Sequence, residues 1–274
     1  MVTPYTATRY RAHDAAKYLT QAEARDHSED SNNPFAYKAN VAPDQKTAFK
    51  SWTDLYGPHE TQSSSSSSLL ANFNYTATST TNFPISGYGP APLKIKKSLF
   101  PAKNIAILTD GDCASTCALF VKLMKRQGVR TIAFGGRPTE GPMQGAGGVK
   151  GGQSLQINYL NGYIQQANQA IQKASGTSSP ILTKSEWEKF NETSPNLDTS
   201  YSWNGNINLR NEYDPEDSDT PLQFVYEAAE CRRFYTLQNY LQQETTWQAA
   251  ATSMFGDSGC VKGSTKGEGS LDAS

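Results

Sequence analysis

The sequence lacks the features that mark membrane and nucleic-acid-binding proteins. No apolar run in its 274 residues reaches the roughly 20 residues that a membrane-spanning helix needs. Its 25 lysine and arginine residues are balanced by 26 aspartate and glutamate residues, so no positive excess exists to neutralise a phosphate backbone. We therefore expect neither a membrane span nor a nucleic-acid partner.

Hydrophobic residues are also scarce, at 36 %, and yet charged residues make up only 19 % of the chain. Because uncharged polar residues fill the difference, the composition does not have the charge-rich character that keeps a chain disordered. The N-terminal residues, MVTPYTATRYRAHDAAKYL, contain no apolar core of the signal-peptide type. No secretory signal is therefore predicted within this chain.

Histidine and cysteine are rare, and no C-x2-C pair or nearby His-x-His is present to complete a tetrahedral zinc site. We predict no metal site and no cofactor. The four cysteines, Cys113, Cys117, Cys231 and Cys260, indicate one or two disulfides. Two arrangements stay open: bridges from the 113–117 region to the C-terminal helices, or a bridge between Cys231 and Cys260. Combined with N-x-[ST] sequons at 74–76 and 191–193, the cysteines indicate a secreted parent protein.

The composition divides the chain into four parts. Residues 1–30 carry good helix formers at helical spacing and predict an N-terminal helical segment. Residues 31–100, with a run of six serines at 63–68, predict a loop-rich and partly disordered insertion with short strands around 72–76. Residues 101–262 predict the folded core with C-terminal helices, and residues 263–274 predict a flexible tail.

Residues 104–136 predict a strand–helix–strand unit within this core. The run NIAILTD is a buried strand by composition, STCALFVKLMKRQG has an apolar helical face, and VRTIAFGG is a second buried strand. The length is that of a βαβ unit, so the two strands are expected to be parallel. Beyond it, residues 154–160 predict a strand, residues 162–175 a helix, and residues 221–255 one or two amphipathic helices.

The sharpest functional signal is Ser115, in the turn TDGDCASTCA between the first strand and the helix. A serine at this place exposes its hydroxyl beside a helix N-terminus, which stabilises a developing negative charge. Nucleophiles of several unrelated hydrolases occupy such a turn. One alternative is that Ser115 caps the helix, which is the commonest role of serine there. Another alternative is a thiolate nucleophile at Cys113 or Cys117.

Residues 107–151, ILTDGDCASTCALFVKLMKRQGVRTIAFGGRPTEGPMQGAGGVKG, resemble the tail-specific, or C-terminal-processing, serine peptidase family. The resemblance is specific over 104–152, extends over about 85–265 through PLQFVYEAAECRRFYT and CVKGS, and is closest to the fungal secreted branch related to the chlamydial protease-like activity factor. It implies an α/β fold: a crotonase-like (ClpP/crotonase) catalytic core with a mixed, largely parallel sheet, incomplete at its N-terminus. Residues 101–262 would form this peptidase core.

The resemblance also implies roles for individual residues. Ser115 falls on the nucleophile, and Gly135 and Gly136 fall on the end of the strand that follows the helix. Gln144 and Gly145 fall in the glycine-rich loop, whose backbone is expected to pass close to a bound peptide because glycine allows close approach. The expected partner is a polypeptide substrate.

The catalytic base is the point at which the sequence departs from bacterial members, which use a lysine in the glycine-rich segment. Counting 25 residues from Ser115 reaches Glu140, and Lys150 comes too late to match. The chain therefore resembles the Ser–His–Glu subclass, whose histidine and oxyanion glycines lie upstream of the residues present here. Within this chain His59 is the remaining candidate base, while His13 and His27 are expected to be solvated on the N-terminal segment.

The third member of such a triad is a carboxylate near the C-terminal end of the core. The segment NLRNEYDPED lies at the corresponding place, and the resemblance there is loose. Glu212 is predicted as the carboxylate, and Asn211 and Glu216 stay open as alternatives.

The sequence thus predicts a serine endopeptidase that forms an acyl-enzyme on Ser115 and that is inactive alone because the upstream histidine and oxyanion glycines are absent. The alternative is a truncated, non-catalytic module that retains a peptide-binding surface. A crotonase-like acyl-thioester binder is a third reading, against which the serine turn and the glycine-rich loop argue.

Overall fold

A computed structural model describes residues 7–12, 17–19, 21–22, 36–61, 68–95, 97–178, 180–193, 205–214, 216–256 and 258–264. The strands are β1 (Ala7–Arg9), β2 (Asn40–Val41), β3 (Asn72–Phe73), β4 (Ala106–Thr109), β5 (Arg130–Phe134), β6 (Gly151–Gln156), β7 (Asn206–Tyr213) and β8 (Cys231–Arg233). The helices are α1 (Trp52–Tyr56), α2 (Tyr75–Thr78), α3 (Thr116–Arg126), α4 (Ile157–Ser175), α5 (Lys184–Thr193), α6 (Leu237–Leu241) and α7 (Gln243–Gly256). Short 3-10 helices cover Tyr37–Ala39, Ala102–Asn104 and Leu222–Phe224.

The chain forms two compact units. The first comprises the described parts of Ile95–Gly151 and Pro221–Ser274, and the second comprises those of Tyr5–Lys94 and Gly152–Thr220. The predicted boundaries at residues 30, 100 and 262 stay predictions.

The first unit is built on a parallel sheet with the strand order β4-β5-β8. The order predicted at 104–136 is confirmed, since β4, α3 and β5 follow one another and Ala106 pairs in parallel register with Arg130. The prediction that β4 is a buried strand is wrong, because β4 lies at the edge of the sheet and its Leu108 is 39 % exposed. Helices cover both faces of the sheet: Val121 of α3 packs near Ile107, whereas Met254 of α7 packs with Ile132. Strand β5 therefore lies at the centre of an α/β layered core.

The carboxyl ends of these strands define one edge of the first unit. Strand β4 leads into the turn that carries Ser115, β5 into Gly135 and Gly136, and β8 into Phe234 and Tyr235. Open parallel sheets bind their ligands at this edge. The fold therefore brings the predicted nucleophile and the predicted glycine pair to neighbouring strand ends.

The prediction of one or two amphipathic helices over 221–255 is wrong for its first part. Residues 231–233 form β8, which pairs in parallel with β5, and the helices begin only at Leu237. The reason is that the polar residues of this stretch have partners inside the protein. Glu230 accepts hydrogen bonds from the Thr131 amide at 2.6 Å and from the Thr131 hydroxyl, and it pairs with Lys125 Nζ at 2.9 Å.

The second unit contains two further small sheets among its described residues, β1-β7-β6 and β2-β3. Its largest apolar cluster gathers residues of the N-terminal segment around α4 and α5, including Tyr18, Ala167, Ile171 and Phe190. In this cluster the Tyr18 ring meets the Phe190 ring edge-on, with centroids 6.2 Å apart.

The predicted N-terminal helical segment is wrong at Ala7–Arg9, which form the buried strand β1 instead. Strand β1 pairs antiparallel with β7, and Thr8 also exchanges two backbone hydrogen bonds with Ala71, at 2.8 and 2.9 Å. Pairing on both sides satisfies the backbone better than a solvated helix would. Residues 17–19 and 21–22 are helical, whereas His13 and His27 lie outside the described residues.

The region predicted as a loop-rich insertion contains only short elements in its described parts, 36–61, 68–95 and 97–100. The strand expected around 72–76 is present as β3, which pairs with β2. Residues 63–67 of the polyserine run and the tail from 265 onwards lie outside the described residues.

A buried arginine organises the second unit. Arg210 of β7 is 2 % exposed, and its guanidinium lies over the rings of Tyr10 and Phe73 at 4.6 and 4.2 Å. Arg210 also donates a 3.1 Å hydrogen bond to Asn40. Burial raises the pKa of Tyr10 from 10.0 to about 12, and the nearby Arg210 charge opposes this rise.

None of the described helices combines the length and the apolar character that crossing a bilayer requires.

The Glu230 interactions lead to a stability prediction. Glu230→Gln should lower the free energy of unfolding by about 2 kcal/mol, because a charge-assisted hydrogen bond is lost and Lys125 is left without its carboxylate. Glu140→Gln is the matched control, since Glu140 is exposed and its pairing with Lys262 spans 3.8 Å. Urea unfolding followed by circular dichroism measures both. Equal losses in the two variants would contradict the importance of Glu230.

The Tyr10 environment predicts a pH dependence. Because the folded-state pKa is raised, the unfolded chain loses the Tyr10 proton first, so stability is fully present below pH 10 and falls as pH rises to about 12. A pKa difference of this size corresponds to about 2–3 kcal/mol. In Tyr10→Phe, the fall of unfolding free energy between pH 10 and 12 should be correspondingly shallower in denaturant titrations. An unchanged slope would show that Tyr10 does not carry this dependence.

Candidate functional site

Ser115 has an unusual backbone conformation at the start of α3. Its φ is 56° and its ψ is −122°, a combination that residues with a Cβ rarely adopt and that is typically found where function demands it. Its hydroxyl makes no hydrogen bond that caps the helix. The capping alternative is therefore wrong, and the half-buried hydroxyl is left for another role.

A disulfide between Cys113 and Cys117 closes around Ser115, with the two Cα atoms 5.1 Å apart. Cys231 and Cys260 form a second disulfide. The expected bridge from the 113–117 region to the C-terminal helices is therefore wrong, whereas the Cys231–Cys260 alternative is confirmed. A thiolate nucleophile is also excluded, because both cysteines of the turn are oxidised.

The glycine strip, residues 144–150, runs alongside the serine turn, residues 110–115. The Gly147 amide donates to the Gly111 carbonyl at 2.9 Å, and the Cys113 amide donates to the Gly147 carbonyl at 3.2 Å. The Ser115 amide donates to the Val149 carbonyl at 2.6 Å. A Cβ at position 147 would lie 2.4 Å from the Gly111 oxygen, so only glycine permits this approach.

The strip also contacts residues 227–229. The Gly145 amide donates to the Glu227 carbonyl at 3.0 Å, and Gln144 pairs in antiparallel orientation with Ala228. The Gln144 side chain donates to the Ala146 carbonyl at 3.4 Å. The predicted residues Gln144 and Gly145 thus lie in a strip that contacts the serine turn, and their predicted contact with a peptide stays a prediction.

Gly135 and Gly136 begin a loop that a buried arginine holds in place. Both glycines have positive φ, 115° and 81°. The guanidinium of Arg232 donates to the carbonyl oxygens of residues 135, 137, 139 and 141. Sequence reasoning missed Arg232, because a charged residue in a segment predicted to be helical gives no sign that it is 3 % exposed.

Glu212 and His59 belong to the second unit, whereas Ser115 belongs to the first. Glu212 lies buried in β7, paired across the sheet with Thr8. Of its alternatives, Asn211 is half-buried and pairs with Arg9, and Glu216 is exposed. His59 Nε2 lies 2.9 Å from the carbonyl oxygen of Asp54, within hydrogen-bond distance.

Within the described ranges, no three histidine, cysteine, aspartate or glutamate side chains gather closely enough to hold an ion.

Comparison with known proteins finds relatives with one family name. The Peptidase S41 family protein ustP of Aspergillus flavus is 43 % identical over 271 residues, which are 94 % of this chain and 56 % of ustP. The Peptidase S41 family proteins phomP1 and phomP1' of Diaporthe leptostromiformis are 39 % and 38 % identical over 279 residues, which are 91 % of this chain and 42 % of each relative. No protein-family model and no solved structure match the chain.

The chain spans about half the length of the curated relatives that it matches. Over that span the identity is high and nearly the whole chain takes part. These similarities relate the chain to fungal proteins that are named for peptidase family S41.

Proposed function

We propose that the chain carries the nucleophile of a serine endopeptidase of the tail-specific, fungal S41 branch that resembles the chlamydial protease-like activity factor. The observation that supports it most is the conformation of Ser115, at the end of a parallel strand and the start of a helix, with positive φ and no capping bond. A crotonase-like core is the fold proposed for the full-length enzyme. Substrates are polypeptides.

The proposed reaction forms an acyl-enzyme. The Ser115 oxygen bonds to the carbonyl carbon of the substrate, the C–N bond then breaks, and the serine proton passes through a base to the leaving amine. Water later hydrolyses the ester and restores Ser115.

The oxyanion of the tetrahedral intermediate needs backbone donors. The Ser115 amide already donates to the Val149 carbonyl oxygen, so we do not propose it as a donor to the oxyanion. The Thr116 amide, in the first turn of α3, is the donor that we propose, because first-turn amides have no partner within their own helix. The helix N-terminus adds a favourable partial charge.

The general base is proposed to come from outside the described residues of this chain. His59 Nε2 already lies within hydrogen-bond distance of a carbonyl oxygen in its own unit, which does not support a role as base. Glu212 is proposed as the carboxylate that orients the base in the full-length protein, a role for which its burial is suitable. The two disulfides support secretion of that protein, because disulfides persist in oxidising compartments.

The nucleophile is tested with a fluorophosphonate probe, followed by mass spectrometry of the labelled peptide. In the full-length protein that contains this chain, Ser115→Ala should reduce labelling about 1000-fold or more, since no other serine in it is expected to be activated. Ser258→Ala, which removes an exposed serine of the same unit, should leave labelling unchanged.

Three results bear on this proposal. Labelling of the isolated chain equal to that of the full-length protein would contradict the proposal that the base lies outside the described residues. Undiminished labelling in Ser115→Ala would contradict the assignment of the nucleophile. Complete absence of labelling in both forms would instead support a non-catalytic peptide-binding module.

The two disulfides should differ in what they stabilise. By chain entropy, removing Cys113–Cys117 as a double alanine variant should cost about 2 kcal/mol, and removing Cys231–Cys260 about 3.5 kcal/mol, because the second loop is longer. Labelling of Ser115 should show the opposite order, with a loss of about tenfold or more only in the first variant, whose bridge flanks the serine. Thermal unfolding and labelling rates measure the two effects, and the same order in both would refute this division.

A further inference from the structure

We propose that Lys150 is a positioning residue that, through its ion pair with Glu227, holds the glycine strip against the serine turn and thereby sets the conformation of Ser115. This inference rests on the proposed function, which it deepens by naming residues that act on the nucleophile from a distance.

Lys150 is an unusual lysine because it is 2 % exposed. Its ammonium donates to Glu227 Oε2 at 2.9 Å and to the Val225 carbonyl oxygen at 2.8 Å. A buried ammonium is tolerated only with such partners. Both acceptors belong to the segment 225–227, so Lys150 anchors the end of the glycine strip to that segment.

Glu227 holds the strip at two places. Its backbone carbonyl accepts from the Gly145 amide at 3.0 Å, and its carboxylate accepts from Lys150. The residues between these two contacts are the ones that bond the serine turn. In particular, Val149 precedes Lys150 directly and accepts the 2.6 Å hydrogen bond from the Ser115 amide.

The composition of the strip explains why it needs such an anchor. Residues 145–148 are Gly, Ala, Gly and Gly, and the Val149 side chain is 46 % exposed. Glycine loses more backbone entropy on ordering than any other residue and has no side chain to pack. Within residues 145–149 the side chain of Ala146 is buried, in a cluster with Cys113 and Val121, so the Lys150 side chain supplies a second anchor at the end of the strip.

The geometry assigns Lys150 a role that acts through Val149 rather than on the substrate. The described contacts of its ammonium are all with residues 225–227 and none is with the serine turn. A positioning role predicts that any residue able to hold Glu227 would serve, whereas a proton-transfer role would require lysine itself.

The test combines hydrogen–deuterium exchange of the Ser115 amide with fluorophosphonate labelling of Ser115 in the full-length protein. Lys150→Met keeps the length of the side chain but loses the charge. It should accelerate amide exchange of Ser115 and of the surrounding residues 110–117 by about 10- to 100-fold, and it should slow labelling of Ser115 by a similar factor. Lys150→Arg should restore both readouts to within a fewfold, with an unchanged pH profile of labelling.

Lys125→Met is the matched control. The half-buried ammonium of Lys125 also pairs with a glutamate, Glu230, and donates to a backbone carbonyl oxygen, that of Ala228. It should lower thermal stability without accelerating exchange of the Ser115 amide. Should Lys150→Met fail to fold, Glu227→Gln, which keeps a hydrogen-bond acceptor, tests the same ion pair and should give a smaller effect in the same direction.

The outcomes separate the inference from the proposed function. Unchanged exchange of the Ser115 amide in Lys150→Met and in Glu227→Gln would overturn the positioning role, as would equal acceleration in Lys125→Met. A pH profile of labelling that shifts in Lys150→Arg would also overturn it, because it would make Lys150 a proton-transfer group. If the unmodified protein is not labelled, the proposed function fails, while the exchange result still decides the role of Lys150.

Discussion

The backbone of the glycine strip approaches the backbone of the serine turn so closely that a methyl group at Gly147 would lie 2.4 Å from the Gly111 oxygen. This approach lets three amide–carbonyl hydrogen bonds form between segments that are otherwise loops. A residue with positive φ persists only where its surroundings determine it. The backbone conformation of Ser115 is therefore held in part by this contact.

A disulfide and the strand pairing of the sheet also support the serine turn and the loops beside it. The Cys113–Cys117 bridge ties the turn to the first residues of α3, whose Ala118 and Val121 pack into the core. Strand β8 pairs in parallel with the central strand β5 and leads into a loop at the carboxyl edge of the sheet. Glu230, directly before β8, accepts hydrogen bonds from Thr131 of β5. A single parallel sheet thus supports both the serine turn and the loop that begins at Gly135.

The parts of this arrangement that the sequence predicts are those governed by local pattern. The apolar pattern over 104–136 is strong because β5 is buried between helices on both faces of the sheet and α3 packs its apolar face on the sheet. Strands β1 and β8 were missed because Thr8, Glu230 and Arg232 find their partners far away in the chain, and local pattern carries no trace of distant partners. The pairing of the cysteines likewise depends on distances that spacing alone does not give.

The binding of one guanidinium to four carbonyl groups has an evolutionary consequence. Arg232 fixes residues 135–141 through their backbone, and the side chains of Arg137, Thr139 and Glu140 all face solvent. Because the backbone is recognised and the side chains are not, substitutions at these three positions leave the anchor intact. The rim of the carboxyl edge can therefore accept changes of side chain while its backbone scaffold stays constant.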